Sequence, residues 1–219
     1  MKSISTFIVD DHFLMVEGYK SVLSCSTNYD FNIITANSCE RAYDMINRST
    51  IHSFDIVILD LALPAYEAEK ISSGYQLAPL IKTKLPYAKL VIITSHAEAF
   101  ILYEIVKKIN PDGLMVKSDF TGDEFLQAFE SIIEENTYYS KTVLKQIKML
   151  GSREKYLDHY NRLIISYLAQ GIQSKNLPDY LPLSMSAIDK RKSQIRDCFS
   201  LDKGSDEDII REAKRFGYI

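Results

Sequence analysis

The 219-residue chain has no stretch approaching the ~18 consecutive apolar residues that a membrane span requires. Its first residues, Met1-Lys2-Ser3, lead directly into a strand-like run rather than the apolar core of a signal peptide. The expectation is a cytoplasmic protein with no membrane partner. Cysteine is scarce: Cys25, Cys39 and Cys198 form no CxxC pairing, which argues against a disulfide framework or a structural zinc site and leaves them as small packing residues. An excess of one charge is also lacking. The 26 basic and 29 acidic residues give a formal charge of −3, which excludes a strongly basic nucleic-acid coat but not a local basic face. There is no Walker loop, GxGxxG or GxSxG motif to support a nucleotide-binding or hydrolase reading, and no repeat or low-complexity tract. A composition of 46% hydrophobic and 25% charged residues is that of a globular protein, and the length suggests two domains.

From Ile4 to about Glu135, short β-branched runs alternate with longer amphipathic stretches, the pattern of a parallel sheet covered by helices. Ser5–Val9 is nearly all apolar, as a strand buried on both faces should be, and Phe13–Leu23 follows at helical spacing. Asn32–Ala36 leads to Cys39–Ile46, with Ser38 as N-cap, and Asp55–Leu59 leads to Gly74–Lys84. Lys89–Thr94 precedes Ala99–Ile109, and Gly113–Val116 precedes Thr121–Glu134. Right-handed crossovers between such pairs give a five-stranded doubly wound α/β sheet.

The rhythm weakens after Glu135, so 1–135 reads as the α/β domain, 136–152 as a linker and 153–219 as a small all-α domain. Helical periodicity there covers Tyr156–Ala169, Gln173–Leu181, Ser184–Phe199 and Ser205–Phe216, the last closed by Gly217. Ser152 onward carries 12 Lys and Arg against 10 Asp and Glu, leaving 14 against 19 for residues 1–151. The two halves therefore differ in sign, +2 against −5.

Ligands of open parallel sheets bind beyond the carboxyl ends of the strands. Asp10 and Asp11 end the first strand there and Asp60 ends the third, its neighbour in a doubly wound order. Converging carboxylates need a cation, and hard oxygen ligands with room for water and phosphate suit Mg2+. Thr94 and Lys117 close two further strands, and a hydroxyl and an ammonium beside metal-bound carboxylates suggest phosphoryl transfer. His12 and His96 lie nearby without a spacing that suggests a metal site or a triad, and are read as loop residues.

Val9-Asp10-Asp11-His12 with Val16-Glu17-Gly18, Ile58 through Pro64, Ile92-Ile93-Thr94 and Val116-Lys117 together resemble the receiver domain of two-component response regulators, with its flavodoxin-like sheet. The resemblance implies that Asp60 accepts a phosphoryl group from a histidine kinase. It further implies that Asp10, Asp11, Asp60 and the backbone carbonyl of Ala62 hold Mg2+, and that Thr94 and Lys117 contact the phosphoryl oxygens. Two departures stand out. Pro64 to Gly74 spans ten residues where about four are usual for such receivers, and Leu114 occupies the place of a switching Tyr or Phe. A phosphatase of the haloacid-dehalogenase type would need a second Asp two residues after the nucleophile, where Ala62 stands.

Tyr160 through Gly171, continuing through Leu177, Leu183–Ile188 and Ile195-Arg196, is similar to the helix-turn-helix of LuxR-type regulators. This implies that Ser184 caps a helix entering the major groove of double-stranded DNA, with Ile188 and Ile195 as core anchors. Lys175, Ser184, Ser186, Asp189, Lys190, Arg191, Ser193 and Gln194 are then the candidate DNA contacts, with 189, 190 and 193 nearest the bases. Asp189 stands where a basic residue is frequent, and Pro178 falls inside the preceding helix, where it removes a donor. Ile209, Ile210 and Ala213 serve either a dimer contact or their own domain's packing. The whole reads as a phosphorylation-dependent DNA-binding transcriptional regulator that forms a homodimer on activation and catalyses only its own phosphorylation and dephosphorylation. The alternative is a regulator acting through protein–protein contact, with a helical domain that no longer binds DNA.

Overall fold

A computed structural model describes residues 1–153, 157–199, 201, 204–215 and 218–219. Strands β1 (Lys2–Val9), β2 (Tyr29–Ala36), β3 (Ile56–Asp60), β4 (Lys89–Thr94) and β5 (Gly113–Val116) alternate with helices α1 (Phe13–Leu23), α2 (Cys39–Arg48), α3 (Gly74–Lys84), α4 (Ala99–Lys108) and α5 (Gly122–Ile133). The five expected strand–helix pairs are present, with β2 beginning at Tyr29 rather than Asn32. All pairings are parallel, and β1 lies beside both β2 and β3.

The sheet nevertheless has six strands among the described residues, in the order β2-β1-β3-β4-β5-β6, and this corrects the five-stranded expectation. Strand β6 is only Tyr138–Tyr139, too short for any alternation to show in sequence. It adds to the edge of β5 through Tyr138 N–H to the Asp112 carbonyl (3.0 Å) and Ser140 N–H to the Leu114 carbonyl (3.0 Å). Helix α6 (Lys141–Arg153) follows, so the stretch 136–152 holds regular structure.

One face of the sheet buries Ile4, Ile8, Ile58, Val91 and Met115 against Val16, Tyr19 and Leu23 of α1 and Phe125, Phe129 and Ile132 of α5. On the other face, Phe7, Val57, Leu59 and Ile92 are fully buried, and α3 packs on β3, β4 and α2. Burial on both faces explains why β3 is apolar throughout until Asp60. Caps fix two helix starts. Ser38 Oγ accepts from Arg41 N–H, and Thr121 and Glu124 form a reciprocal capping box at α5.

By packing, the chain separates into residues 1–97 with 104–144 and residues 98–103 with 145–219. The second group contains α7 (His159–Ala169), a short 3-10 helix (Ser174–Asp179), α8 (Met185–Cys198) and α9 (Asp206–Arg215). The full helix expected over Gln173–Leu181 is replaced by that 3-10 turn, because Pro178 within it has no N–H to donate. The core joins Ile164, Ile165 and Leu168 to Leu177, Ile188, Ile195, Ile209 and Ala213. Ile188 and Ile195 thus anchor α8, and Ile209 and Ala213 serve their own unit's packing. Tyr156, Phe216 and Gly217, expected at helix ends, lie outside the described residues.

Candidate functional site

Register brings the strand-end residues together. Val9 pairs with Leu59, so Asp10 lies one residue beyond the β1–β3 pairing, beside Asp60; Asp60 pairs with Ile93, and Thr94 with Val116. Lys117, the next residue, donates its backbone N–H to the Thr94 carbonyl at 2.8 Å. Its ammonium reaches Asp60 Oδ2 at 2.7 Å and Asp10 Oδ2 at 3.0 Å. Both carboxylate side chains are only 1% exposed. Burial works against the charged Lys117, but hydrogen bonds from the ammonium to Asp60 and Asp10 outweigh it and hold its pKa above the ordinary lysine value.

The remaining polar contacts organise the loops. Asp10 Oδ1 accepts from His12 N–H (2.9 Å), Asp60 Oδ1 from Ala62 N–H (3.2 Å), and the buried Thr94 Oγ1 from His96 N–H (3.1 Å). Ala62 itself is exposed at the loop start. Three carboxylates, Asp10, Asp11 and Asp60, converge at this point, and the Lys117 ammonium is hydrogen-bonded to two of them. Donor atoms of Asp10, Asp11 and Asp60 lie close enough together to serve one divalent cation, and an all-oxygen set of this kind fits a hard ion such as Mg2+. A cavity of about 200 Å³ opens beside the acids, lined also by Phe13, Lys20, Asn37 and Arg41.

Two residues of this site escaped the sequence reading. His12 Nδ1 lies 2.9 Å from Asp11, 3.2 Å from Asp10 and 3.9 Å from Asp60. A residue three positions beyond a strand end has no facing rule to predict it; only its adjacency to Asp10-Asp11 was a signal. Tyr19 stacks on Phe125 with ring centroids 5.0 Å apart, and its buried hydroxyl has no hydrogen-bond partner among the described residues. Burial above all, with the nearby charges of Asp10 and Asp60 adding to it, pushes that hydroxyl far above the usual phenol range.

The loop Pro64–Gly74 folds back on itself. Tyr66 and Ile71 form an antiparallel bridge around a 3-10 turn, Glu67–Glu69, with Lys70 in the left-handed region at φ 56°. The Tyr66 ring meets Tyr43 edge-on at 5.7 Å. Gly74 then enters α3 directly beneath the site, and a Cβ there would lie 2.0 Å from the Asp60 carbonyl oxygen.

In the helical unit, Ser184 caps α8 by accepting from Ala187 N–H. Ser184, Ser186, Asp189, Lys190 and Ser193 are exposed along α8, Lys175 is exposed on the 3-10 turn, and Gln194 is half-buried. Arg191 is different. Its guanidinium binds both Asp158 oxygens at 2.6 and 2.7 Å and Asn161 Oδ1 at 3.0 Å, and it lies 5.0 Å from the Tyr160 ring centre. Lys192 is likewise bound to Asp206 at 2.6 Å and to Ser174 at 2.6 Å. The cations offered outward are therefore fewer than the sequence of α8 suggests.

Fold and site define a doubly wound α/β domain with an acidic, lysine-bridged pocket at its strand ends, joined to a bundle of short helices. The chain belongs to the response regulator receiver domain family, whose model matches residues 6–130. Along most of its length it is similar to the Fimbriae Z protein of Salmonella typhimurium, 23% identical and covering 89% of this chain and 90% of that one. It is also similar to the transcriptional regulatory protein ComA of Bacillus subtilis, 22% identical and covering 100% of both. Among solved structures, RcsB of Salmonella enterica serovar Typhimurium bound to the rprA promoter with a phosphomimetic matches with a TM-score of 0.67. That match is 16% identical and covers 97% of this chain and 98% of RcsB. No helix of the described residues is long and apolar enough to cross a membrane.

Proposed function

We propose that this chain is a phosphorylation-dependent DNA-binding transcriptional regulator whose phosphoacceptor is Asp60. The observation that carries this reading is the buried Asp60 carboxylate held at 2.7 Å by Lys117, beside Asp10 and Asp11. Asp60 attacks the phosphorus of a kinase phosphohistidine; a P–O bond forms to the carboxylate, the P–N bond breaks, and the imidazole leaves and regains its proton from solvent. Asp10, Asp11, Asp60 and the Ala62 carbonyl would hold Mg2+, which would supply charge neutralisation for the transferring group. Lys117 exchanges part of its contact with Asp60 for a phosphoryl oxygen, and the Thr94 hydroxyl donates to another. The receiver so modified favours a homodimer, and the helical domain binds double-stranded DNA. The receiver comprises residues 1–135 and the DNA-binding domain residues 153–219; the protein acts in the cytoplasm, and its chemistry is its own phosphorylation and dephosphorylation. Incubation with Mg2+ and a small phosphodonor adds one phosphoryl mass to the wild type and none to Asp60→Asn; an unmodified wild type overturns it.

A second reading, output through protein contact without DNA, is favoured by one observation: Arg191 and Lys192 are engaged inside their own unit, leaving Asp189 beside Lys190 on the outer face. Saturable, salt-dependent binding to genomic fragments, weakened by Lys190→Ala, excludes it.

A further inference from the structure

The imidazole nearest the acids is hydrogen-bonded among the carboxylates, a placement that neither phosphoacceptor chemistry nor helix capping requires. His12 stands at the N-cap position of α1, yet its side chain makes no capping hydrogen bond to the helix. Its backbone N–H is fixed to Asp10 Oδ1, which anchors the residue, and its Nδ1 turns toward the three carboxylates at 2.9, 3.2 and 3.9 Å. One donor atom from each of Asp10, Asp11, His12 and Asp60 lies within 4.8 Å of all the others. Neighbouring donors of an octahedral ion with bonds of about 2.1 Å lie roughly 3.0 Å apart, and opposite donors about 4.2 Å. The three imidazole distances fall in or near that span. Lys117 is hydrogen-bonded to Oδ2 of both Asp10 and Asp60, whereas His12 faces Oδ1 of Asp10 and Asp11 and lies farther, at 3.9 Å, from the Asp60 Oδ2 that Lys117 holds. The ammonium and the imidazole thus approach Asp10 through different oxygens.

We infer that His12 is a further protein ligand of the cation site, beside the three carboxylates and the Ala62 carbonyl, and that its nitrogen gives this receiver a preference for a borderline transition-metal ion, Mn2+ or a later one, over Mg2+. This rests on the cation reading of the acidic pocket and adds to it a donor that is not oxygen. Mg2+ gains little from an imidazole, whereas affinity for nitrogen donors rises along the first-row series. The side chain is 59% exposed, so replacing it leaves the core intact.

The test uses the full chain and Mn2+, at about pH 8. Pulsed EPR of bound Mn2+ is expected to show nitrogen coupling in the wild type that disappears in His12→Phe and His12→Gln, with His52, His96 and His159 still present. In titrations the Mn2+ affinity of His12→Phe is expected to fall at least about tenfold. Its Mg2+ affinity is expected to stay within about twofold. Bound Mn2+ with no nitrogen coupling, or equal losses for both ions, overturns the role of His12 while leaving the carboxylate site standing. Failure of the wild type to bind either ion, or binding unaffected by Asp11→Asn, overturns the cation reading itself and this inference with it.

Discussion

Arg191, on the helix expected to read DNA, closes on the carboxylate of Asp158 at 2.6 and 2.7 Å, and Asp158 also caps α7 by accepting from Asn161 N–H at 2.9 Å. One carboxylate therefore holds a helix start and ties α7 to α8. Asp158→Ala is expected to destabilise the helical unit by about 1–2 kcal/mol, the usual worth of an N-cap. Arg191→Ala is expected to lower its melting temperature as well. Lys190→Ala, by contrast, should leave melting unchanged and reduce the salt slope of DNA binding by about 1. Melting and binding measured on the same variants check this; an Arg191→Ala protein that melts like the wild type refutes the structural role.

The same unit carries an acid-sensitive clasp. Burial tends to raise the Asp206 carboxyl, but hydrogen bonds from Lys192 and Ser174 outweigh it and hold it below the ordinary value. A carboxyl whose folded pKa is depressed stabilises the fold above its unfolded pKa, about 3.9, and that stabilisation is lost as pH falls through the lower folded value. The stability gap between wild type and Asp206→Asn should thus be full at neutral pH and narrow below about pH 4. Denaturant melts of both proteins across that range check the sign; a gap that widens on acidification contradicts it.

In the receiver, Asp10 and Asp60 share one ammonium, so removing one charge and removing the ammonium should act oppositely. Without divalent ion, Asp60→Asn is expected to raise the melting temperature by relieving like-charge repulsion. Lys117→Ala is expected to cost up to about 3 kcal/mol by leaving buried carboxylates unpaired. Added Mg2+ should stabilise the wild type in a concentration-dependent way and Asp60→Asn less. Calorimetry with and without Mg2+ measures all three.

Much of this was legible because a parallel doubly wound sheet sends every strand's carboxyl end to one edge, so Asp10, Asp60, Thr94 and Lys117 could be placed together by counting strand ends. What escaped depended on contacts that no periodicity encodes. Arg191 and Asp158 are 33 residues apart, and a helical wheel of α8 shows only that Arg191 is polar. Tyr138–Tyr139 is too short to show a period, and His12 lies past the end of β1, where strand alternation gives no direction for its ring. Pro178 did give a usable signal, a missing donor, and the structure answers it with a 3-10 turn.

Gly74 shows how the long loop is bound to the chemistry. Its N–H donates to the Leu61 carbonyl at 3.0 Å, closing the loop onto the residue after Asp60, and its Cα faces the Asp60 carbonyl so closely that an added Cβ would sit 2.0 Å away. No side-chain rotation relieves that contact, because the obstacle is backbone; either α3 or the end of β3 must shift. Gly74→Ala is therefore expected to lower stability by about 1–3 kcal/mol, as overpacking of a rigid site does. It should also slow Asp60 phosphorylation, since the carboxylate moves with its own backbone relative to Lys117. Denaturant unfolding and phosphodonor kinetics on Gly74→Ala, set beside Ser73→Ala one residue earlier, check both parts. A Gly74→Ala protein that matches the wild type in each would mean that the loop and the acceptor strand are not coupled through this contact.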